Sequence, residues 1–288
     1  MASPKKYSTP TAFRRALEDR LKQTAKADGL DLQRLMREVA FDRLLSRLFA
    51  RKNADWILKG GYALELRMKQ ARATKDIDLA LRHSLGTNKE LPLKDAIFEA
   101  LAMAAARDPG DFFSFNIGEA MLDLDAAPYG GARFPVEARL DGRSFVRFHL
   151  DVGAGDVVLA PLDETHPHDW LDFAGIRGGV FPTISREQHF AEKLHAYTLP
   201  RQNPNSRARD LIDMLLLIGS GELDRARVRK ALNATFERRK THPLPEVLPR
   251  PPSAWKAPYG ALAADSGLSA DLAQAYEVLN SFYLELPG

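Results

Sequence analysis

Two aspartates separated by a single residue, Asp76 and Asp78, lie in the segment TKDIDLAL. Side chains alternate between the two faces of a strand, so both carboxylates would point to one side and Ile77 and Leu79 to the other. Two carboxylates on one strand face can share one or two Mg²⁺ ions, which neutralise charge on phosphate oxygens. The pattern indicates metal-dependent phosphoryl or nucleotidyl transfer. The alternative is a strand edge that carries two solvated aspartates.

A glycine pair, Gly60-Gly61, precedes these aspartates, and 14 residues separate Gly61 from Asp76. The apolar residues 56–58 before the pair predict a strand, and residues 62–68 after it predict a helix. Glycine lets the backbone approach a phosphate closely, and a helix N-terminus offers free N–H groups and a positive dipole end. Lys59, Gly60 and Gly61 are therefore candidates for binding the phosphates of a nucleotide. The alternative is an ordinary turn.

Together these motifs resemble the polymerase-β-like nucleotidyltransferases and, within them, the AbiEii/AbiGii (MenT-type) toxins of bacterial toxin–antitoxin systems. The residues that carry the resemblance are Lys59-Gly60-Gly61, Leu64, Arg67 and Thr74-Lys75-Asp76-Ile77-Asp78. The resemblance implies an enzyme that uses Mg²⁺ to transfer a nucleoside monophosphate from a nucleoside triphosphate to the 3′ end of tRNA, which blocks translation. It also implies a cognate antitoxin.

The residues just before the aspartate pair are further candidates. Arg72 and Lys75 are placed to meet phosphates or, alternatively, only to balance the acids. In the resembled family a Ser or Thr at the place of Thr74 can be phosphorylated. About two added negative charges there would repel a triphosphate and compete for magnesium, so Thr74 is a regulatory phosphorylation candidate.

A third carboxylate is expected on a neighbouring strand. The turn signal Asp141-Gly142 predicts a hairpin between residues 134–140 and 144–152. Alternation in the second strand puts Asp151 on its polar face, so Asp151 joins Asp76 and Asp78 as a candidate metal ligand, as the resemblance also implies. The alternative is an edge-strand aspartate, and Asp156 is a weaker competitor.

The second half of the chain contains a lysine and two aspartates that resemble later motifs of the same toxin family. Ser185 begins a predicted helix that contains Lys193, and a helix predicted over residues 207–218 contains Asp210 and Asp213. In the resembled family a Lys and an Asp of these motifs are needed for activity. Lys193 matches the lysine, and either Asp210 or Asp213 matches the aspartate, with Asp213 preferred. The alternative is a structural bridge between two helices, and the candidate partners of these acids, besides substrate, are Lys193, Arg207 and Arg209. Arg207 is also a candidate nucleotide contact.

Composition narrows the class of protein. The 288 residues are 45% hydrophobic and 27% charged, and they include no cysteine, which excludes disulfides and thiolate chemistry. No apolar run suits a membrane span and the N-terminus lacks a secretory signal, so the expected location is the cytoplasm. The net charge is +3, but residues 1–59 and 225–256 each carry seven more basic than acidic residues. These two basic segments suit an RNA substrate or, alternatively, only solvate helix faces.

We therefore expect an α/β (α+β) fold: a polymerase-β-type mixed sheet with flanking helices, followed by a helical C-terminal lobe. The lobes would span residues 1–175 and 176–288, in a chain that is a monomer. Helices are predicted over residues 11–27, 31–51 with Asp31 as N-cap, 92–106 and 269–286. Two other functions remain open: nucleotide transfer to a protein or small molecule, and non-catalytic nucleic-acid binding.

Overall fold

A computed structural model describes residues 6–68, 70–82, 91–124, 127–200 and 207–287. The chain forms two compact units. The first comprises residues up to Leu66, Ala73–Gly155 and Glu164–Thr183, and the second comprises Arg67–Arg72, Asp156–Asp163 and the residues from Ile184 onward.

Two helices open the first unit, as predicted. Helix α1 spans Pro10–Asp28 and helix α2 spans Leu32–Leu48. Thr9 caps α1 through the N–H of Ala12, and Gly29 ends the helix in the left-handed conformation. Asp31 caps α2 through the N–H of Arg34, so the predicted N-cap is confirmed. Helix α2 ends three residues before the predicted Arg51.

A mixed sheet forms the centre of the first unit. Its strands are β1 Trp56–Lys59, β2 Asp76–Leu81, β3 Phe113–Ile117, β4 Leu122–Asp123, β5 Gly131–Leu140, β6 Arg143–Gly153, β7 Asp163–Thr165 and β8 Phe181–Thr183. Within the described residues the order is β3-β5-β6-β2-β1-β8-β7, and β4 pairs with β5. Strand β2 runs parallel to β6 and antiparallel to β1. The mixed α/β architecture expected from the sequence is therefore confirmed.

One face of this sheet is buried. Alternate residues of β5, from Ala132 to Leu140, point into the core, and so do Phe148, Leu150 and Val152 of β6. The ring of Phe41 on α2 lies 4.8 Å from that of Phe148 in an edge-to-face contact. The helices therefore cover the apolar face, and the polar residues of β2, β5 and β6 occupy the other.

The turn between β1 and the following helix is shorter than expected. Helix α3 spans Gly60–Arg67, so both glycines belong to the helix, whereas the sequence predicted a turn followed by a helix from Tyr62. Gly60 adopts a φ of 68°, which turns the chain from strand to helix within one residue. Helix α4, Leu93–Ala105, follows β2 and agrees with its prediction.

The second unit is helical. Its helices are α5 Arg186–Thr198, α6 Ala208–Gly219, α7 Arg225–Arg239, α8 Lys256–Asp265 and α9 Leu272–Leu284. Ser185 caps α5 through the N–H of Gln188, as its capping pattern predicts. Helix α6 is buried on almost all sides, in agreement with its apolar sequence. None of the helices in the described part of the chain combines the length and the apolar character that crossing a bilayer requires.

Candidate active site

A row of four charged residues crosses four neighbouring strands of the first unit. Lys59 of β1 pairs in register with Asp78 of β2, Asp78 pairs with Asp151 of β6, and Asp151 pairs with Arg133 of β5. Residues that are paired in register present their side chains to the same face. The predicted Asp151 therefore lies on the strand next to Asp78, with a cation at each end of the row.

Asp76 begins the next row of the same face. It pairs in register with His149, and His149 pairs with Pro135. The Nδ1 atom of His149 lies 3.4 Å from the carboxylate of Asp76, and Nη2 of Arg133 lies 3.6 Å from it. Asp76 and His149 are both partly exposed, so this end of the face is open to a substrate.

Gly60 makes room for the carboxylate of Asp78. A Cβ atom at Gly60 would lie 1.9 Å from Oδ2 of Asp78, a separation that no pair of non-bonded atoms tolerates. The backbone of Gly60 also has a positive φ of 68°, which disfavours any side chain. The glycine motif and the Asp-x-Asp motif are thus two halves of one packing arrangement at the start of α3.

Arg133 is the site residue that sequence reasoning missed. Its Nε and Nη2 atoms each donate a 2.7 Å hydrogen bond to the two carboxylate oxygens of Asp151. These bonds, with the nearby charges of Asp76 and Asp78, raise the pKa of Arg133 above its ordinary value despite some burial. A bidentate pair of this kind is short and strong. The pair occupies both oxygens of Asp151, one of the three predicted metal ligands.

The donor chemistry at Asp76 and Asp78 fits Mg²⁺. Both residues supply carboxylate oxygens from one strand face, and Asp78 lies against the helix start at Gly60. Asp151 would have to share its oxygens with Arg133 to take part. Within the described ranges, no three His, Asp or Glu side chains converge on one point as a preformed metal site.

A buried carboxylate anchors the chain just before Asp76. Glu65 of α3 accepts a 3.2 Å hydrogen bond from the backbone N–H of Thr74, and Arg34 lies 2.6 Å from Glu65. The hydroxyl of Thr74 donates to the carbonyl of Asp76 at 3.3 Å. The side chain of Thr74, the phosphorylation candidate, is thus buried and holds the start of β2.

The second unit contains a separate buried charge cluster. Lys193 of α5 lies 2.8 Å from Asp213 and 3.2 Å from Asp210, both on α6. Arg72 donates two hydrogen bonds to Asp213, at 3.0 and 2.9 Å. The structure therefore brings together three residues predicted to be catalytic and adds Arg72, which the sequence had linked only to phosphates or to the acids near it.

Neighbouring charges determine whether Asp213 and Lys193 are ionised. Burial alone would raise the pKa of Asp213, but Lys193 and Arg72 outweigh it and hold that pKa below its ordinary value. Burial alone would lower the pKa of Lys193, but Asp213 and Asp210 raise it. Lys193 therefore carries its charge, and Asp213 carries the compensating one.

The remaining predicted partners differ in position. Arg207 lies 3.3 Å from Asp210, as expected for a residue three positions earlier on the same turn. Arg209, also proposed as a partner of the two acids, is exposed. Its place beside Asp213 is taken by Arg72, which comes from a segment 141 residues away in the chain.

Comparison with known proteins identifies this arrangement. The family model described as "Nucleotidyl transferase AbiEii toxin, Type IV TA system" matches residues 43–278, which include the glycine pair, the Asp-x-Asp motif, Asp151, Lys193 and both aspartates of α6. The chain belongs to the AbiEii family. It is therefore a nucleotidyltransferase toxin of a type IV toxin–antitoxin system, and an antitoxin partner is implied by that membership.

The solved structure of a nucleotidyltransferase toxin shares the fold of this AbiEii toxin. MenT4, a nucleotidyltransferase toxin from Mycobacterium tuberculosis H37Rv, has a TM-score of 0.54 and 19% sequence identity, and the match covers 96% of this chain and 99% of MenT4. JHP933 from Helicobacter pylori has a TM-score of 0.47 and 16% identity over 89% of this chain and 93% of its own.

A putative nucleotidyltransferase from H. pylori gives a TM-score of 0.46 and 16% identity, over 89% of this chain and 96% of its own. No curated protein is a significant sequence match. At 19% identity the match to MenT4 shows a shared fold, and the family assignment comes from the AbiEii model. The non-catalytic alternative raised by the sequence does not agree with membership of a nucleotidyltransferase family.

Proposed function

We propose that this AbiEii toxin transfers a nucleoside monophosphate from a nucleoside triphosphate to the 3′ end of tRNA, in a Mg²⁺-dependent reaction that blocks translation. The observation that carries the proposal is the row Lys59–Asp78–Asp151–Arg133, set beside the helix that begins at Gly60. In this row a carboxylate that can hold a divalent ion, Asp78, lies next to the start of α3, where backbone N–H groups can bind a phosphate. The enzyme acts in the cytoplasm as a monomer, beside its antitoxin.

Each residue of the site has a role in this proposal. Asp76 and Asp78 would hold Mg²⁺, which when bound supplies positive charge to the phosphate oxygens. Lys59 and the N–H groups of Gly60 and Gly61 bind the triphosphate, since the start of α3 is the positive end of a helix dipole. Asp151, which Arg133 holds in place, is proposed to accept the proton of the attacking hydroxyl or to join the metal.

The chemical step is an in-line displacement at the α-phosphorus. The oxygen of the RNA hydroxyl forms a bond to that phosphorus, and the bond to the bridging oxygen of pyrophosphate breaks. The proton of the hydroxyl passes to a carboxylate. Lys193, with Asp210 or Asp213 and Arg207, is also proposed to be needed for activity. Lys193 retains a charge that suits a phosphate.

The test is a labelling experiment with matched variants. Purified protein is incubated with Mg²⁺, total bacterial tRNA and each of the four labelled nucleoside triphosphates in turn. We expect label on tRNA with the wild type, none with Asp76→Asn or Asp78→Asn, and full labelling with Asp95→Asn, which removes an exposed carboxylate on α4. A chelator abolishes labelling and added Mg²⁺ restores it.

Two other outcomes would contradict the proposal. Label that moves with a protein or a small molecule would replace tRNA by another acceptor at the same site. Labelling that survives both aspartate substitutions would remove Asp76 and Asp78 from the chemistry.

A further inference from the structure

A cavity of about 730 Å³ lies beside Asp76 in the first unit. Four cationic side chains line it, Arg37, Lys75, Arg133 and Arg147, against the two carboxylates Asp76 and Glu137. The cavity is thus positively charged although it touches an acidic centre. A positive wall next to a candidate catalytic carboxylate is suited to a substrate that carries phosphates.

Two of these cations, Arg37 and Arg147, have N–H groups that could donate hydrogen bonds to a ligand. Within the described residues, the Nε atom of Arg37 is buried without a hydrogen-bond partner, and the carboxylate of Asp31 lies 3.9 Å from its Nη2 atom. Arg147 is 77% exposed and contacts only one edge of Glu137. Arg37 lines the cavity, so this unpaired donor is available to a ligand that binds there.

The strand order places the cavity and the proposed triphosphate site on opposite sides of β2. Strand β1 and the start of α3, the proposed triphosphate site, flank β2 on one side, whereas β6 and β5 flank it on the other. In an in-line displacement the attacking oxygen and the leaving pyrophosphate lie on opposite sides of the phosphorus. The cavity, formed largely by β5 and β6, is therefore on the side from which the acceptor attacks.

We infer that this cavity binds the unpaired 3′-terminal nucleotides of an RNA acceptor, with Arg37, Lys75 and Arg147 contacting their phosphates. The inference rests on the proposed function and assigns a surface to the acceptor. The volume falls within the roughly 300–1,000 Å³ of ordinary ligand sites, which suits a terminal nucleotide and excludes a duplex.

The apolar part of the lining supports an RNA strand over a protein acceptor. Met121, which is 64% exposed, and Pro135 of β5 both line the cavity. Gly118 approaches Pro135 so closely that a Cβ there would lie 2.8 Å from its ring, which keeps this floor flat. An exposed apolar surface of this kind suits the packing of an unstacked base.

The hydrogen bonds of two arginines in the first basic segment, residues 1–59, show that part of its charge is structural. Arg14 donates to the backbone carbonyls of Leu140, Arg143 and Ser144, and Arg47 is buried in a bidentate pair with Asp111. These arginines of residues 1–59 hold the fold together. Among the described residues of this segment, Arg37 is the one that lines the cavity, so the inference assigns the RNA contact of this segment to Arg37.

The test compares arginines of one strand. Arg143 and Arg147 are both exposed residues of β6 paired with a carboxylate, but only Arg147 lines the cavity. We expect Arg37→Gln and Arg147→Gln each to weaken binding of fluorescently labelled tRNA about tenfold and to reduce the salt slope by about one unit. Arg143→Gln should bind as the wild type does, and the KM for the nucleoside triphosphate should stay unchanged in all three variants.

A second arm tests the 3′ end itself. Wild-type protein should bind tRNA trimmed of its last three nucleotides more weakly than intact tRNA. In the double variant Arg37→Gln/Arg147→Gln trimming should make no further difference, because the contacts it removes are already lost. Equal binding of trimmed and intact tRNA by the wild type would overturn the inference, and so would a rise in the KM for the nucleoside triphosphate alone.

These outcomes are separable from failure of the proposed function. If wild-type protein binds tRNA through Arg37 and Arg147 but transfers no label to it, the reaction is wrong and the RNA site stands. If label passes to tRNA but neither substitution changes tRNA binding or its KM, the reaction stands and the cavity is not the acceptor site.

Discussion

Arg133 donates two hydrogen bonds of 2.7 Å to the two carboxylate oxygens of Asp151, and its Nη2 atom also lies 3.6 Å from Asp76. The guanidinium thus carries a positive charge at the place where a divalent ion would bring its own. A metal ion bound at Asp76 and Asp78 and the guanidinium of Arg133 would repel each other. Arg133 is therefore expected to weaken metal binding while it keeps Asp151 in place.

Removing this charge should strengthen metal binding. We expect Arg133→Gln to bind Mn²⁺ several-fold more tightly than the wild type in calorimetric titrations, because two carboxylates lose a nearby cation. Arg139→Gln is the control, since Arg139 lies on the same strand and pairs with Glu137. Weaker Mn²⁺ binding by Arg133→Gln would contradict this picture and show that a fixed Asp151 is needed to hold the ion.

The pairing of Arg133 with Asp151 explains why sequence reasoning did not find Arg133. Counting symmetrically from the Asp141-Gly142 turn would place Arg133 opposite Leu150, on the buried face. The register shifts at a bulge between Ala138 and Arg139, and Arg133 then pairs with Asp151. The hairpin, and the position of Asp151 on the polar face of β6, were predictable from local sequence patterns. The extra residue that the bulge adds to β6 was not predictable from them.

Tertiary contacts account for the other differences. The Gly-Gly and Asp-x-Asp motifs were predictable because strand alternation and the strand–helix order are local properties. The partnership of Arg72 with Asp213 joins segments 141 residues apart and depends on packing that no local pattern shows. The lobe boundary after residue 175 stays a prediction, as do the individual roles of the site residues.

Replacement of Gly60 by any other residue should abolish activity, and a comparison with Gly29 shows whether the cause is the clash with Asp78 or the strain of a positive φ. We expect Gly60→Ala to abolish nucleotidyl transfer, because a Cβ at 1.9 Å would push the carboxylate of Asp78 from its place. Gly29 has nearly the same φ, 66°, but a Cβ atom there would meet nothing within 4 Å. Gly29→Ala should therefore lose about 1–2 kcal/mol of unfolding free energy and keep its activity.

Thermal unfolding and the labelling assay together check this comparison. Equal activity losses in Gly29→Ala and Gly60→Ala would mean that backbone strain, and not the displacement of Asp78, is responsible. Full activity in Gly60→Ala would refute the packing argument.

Asp213 and Asp210 should differ in their contributions to stability. Asp213 is fully buried and is the shared partner of Lys193 and Arg72. Asp213→Asn therefore leaves two largely buried cations without their common carboxylate and should cost about 3–5 kcal/mol. Asp210 is paired with Lys193 and the partly exposed Arg207, and Asp210→Asn should cost less. Urea unfolding measures both, and an equal cost would argue against this ranking.

Activity measurements then separate structure from catalysis in this cluster. Lys193→Met keeps an unbranched side chain and removes the charge. If Lys193 takes part in the reaction, this variant should lose transfer activity under conditions in which urea unfolding shows it to be folded. Activity that falls only in step with the folded fraction would favour a structural bridge.

Thr74 should tolerate loss of its hydroxyl but not a new charge. Thr74→Val removes the 3.3 Å hydrogen bond to the carbonyl of Asp76, and we expect a loss of about 1 kcal/mol of stability with activity retained. Thr74→Glu brings a carboxylate next to buried Glu65 and close to Asp76, and it should reduce transfer more than tenfold. Activity of Thr74→Glu equal to that of Thr74→Val would exclude control by a negative charge at this position.

Glu65 should make the stability of the protein depend on pH. Burial and the neighbouring Glu38 raise the pKa of Glu65 from 4.5 to about 7, although Arg34 and the N–H of Thr74 oppose the shift. A carboxyl with a raised pKa contributes its full stability below the ordinary value and loses it as pH rises toward the raised value. Wild-type protein should therefore lose roughly 3 kcal/mol, as an upper limit, between about pH 4.5 and pH 7 through this group.

Glu65→Gln should remove that loss, since the amide does not ionise. Urea unfolding at pH 5 and pH 8 then gives a smaller difference for Glu65→Gln than for the wild type, whereas Glu18→Gln, at a partly exposed carboxylate on α1, follows the wild type. If Glu65→Gln and the wild type lost equal stability between these two pH values, Glu65 would be ionised in the folded protein throughout. Its bond to Thr74 would then be a charge-assisted anchor for the start of β2 at every pH in that range.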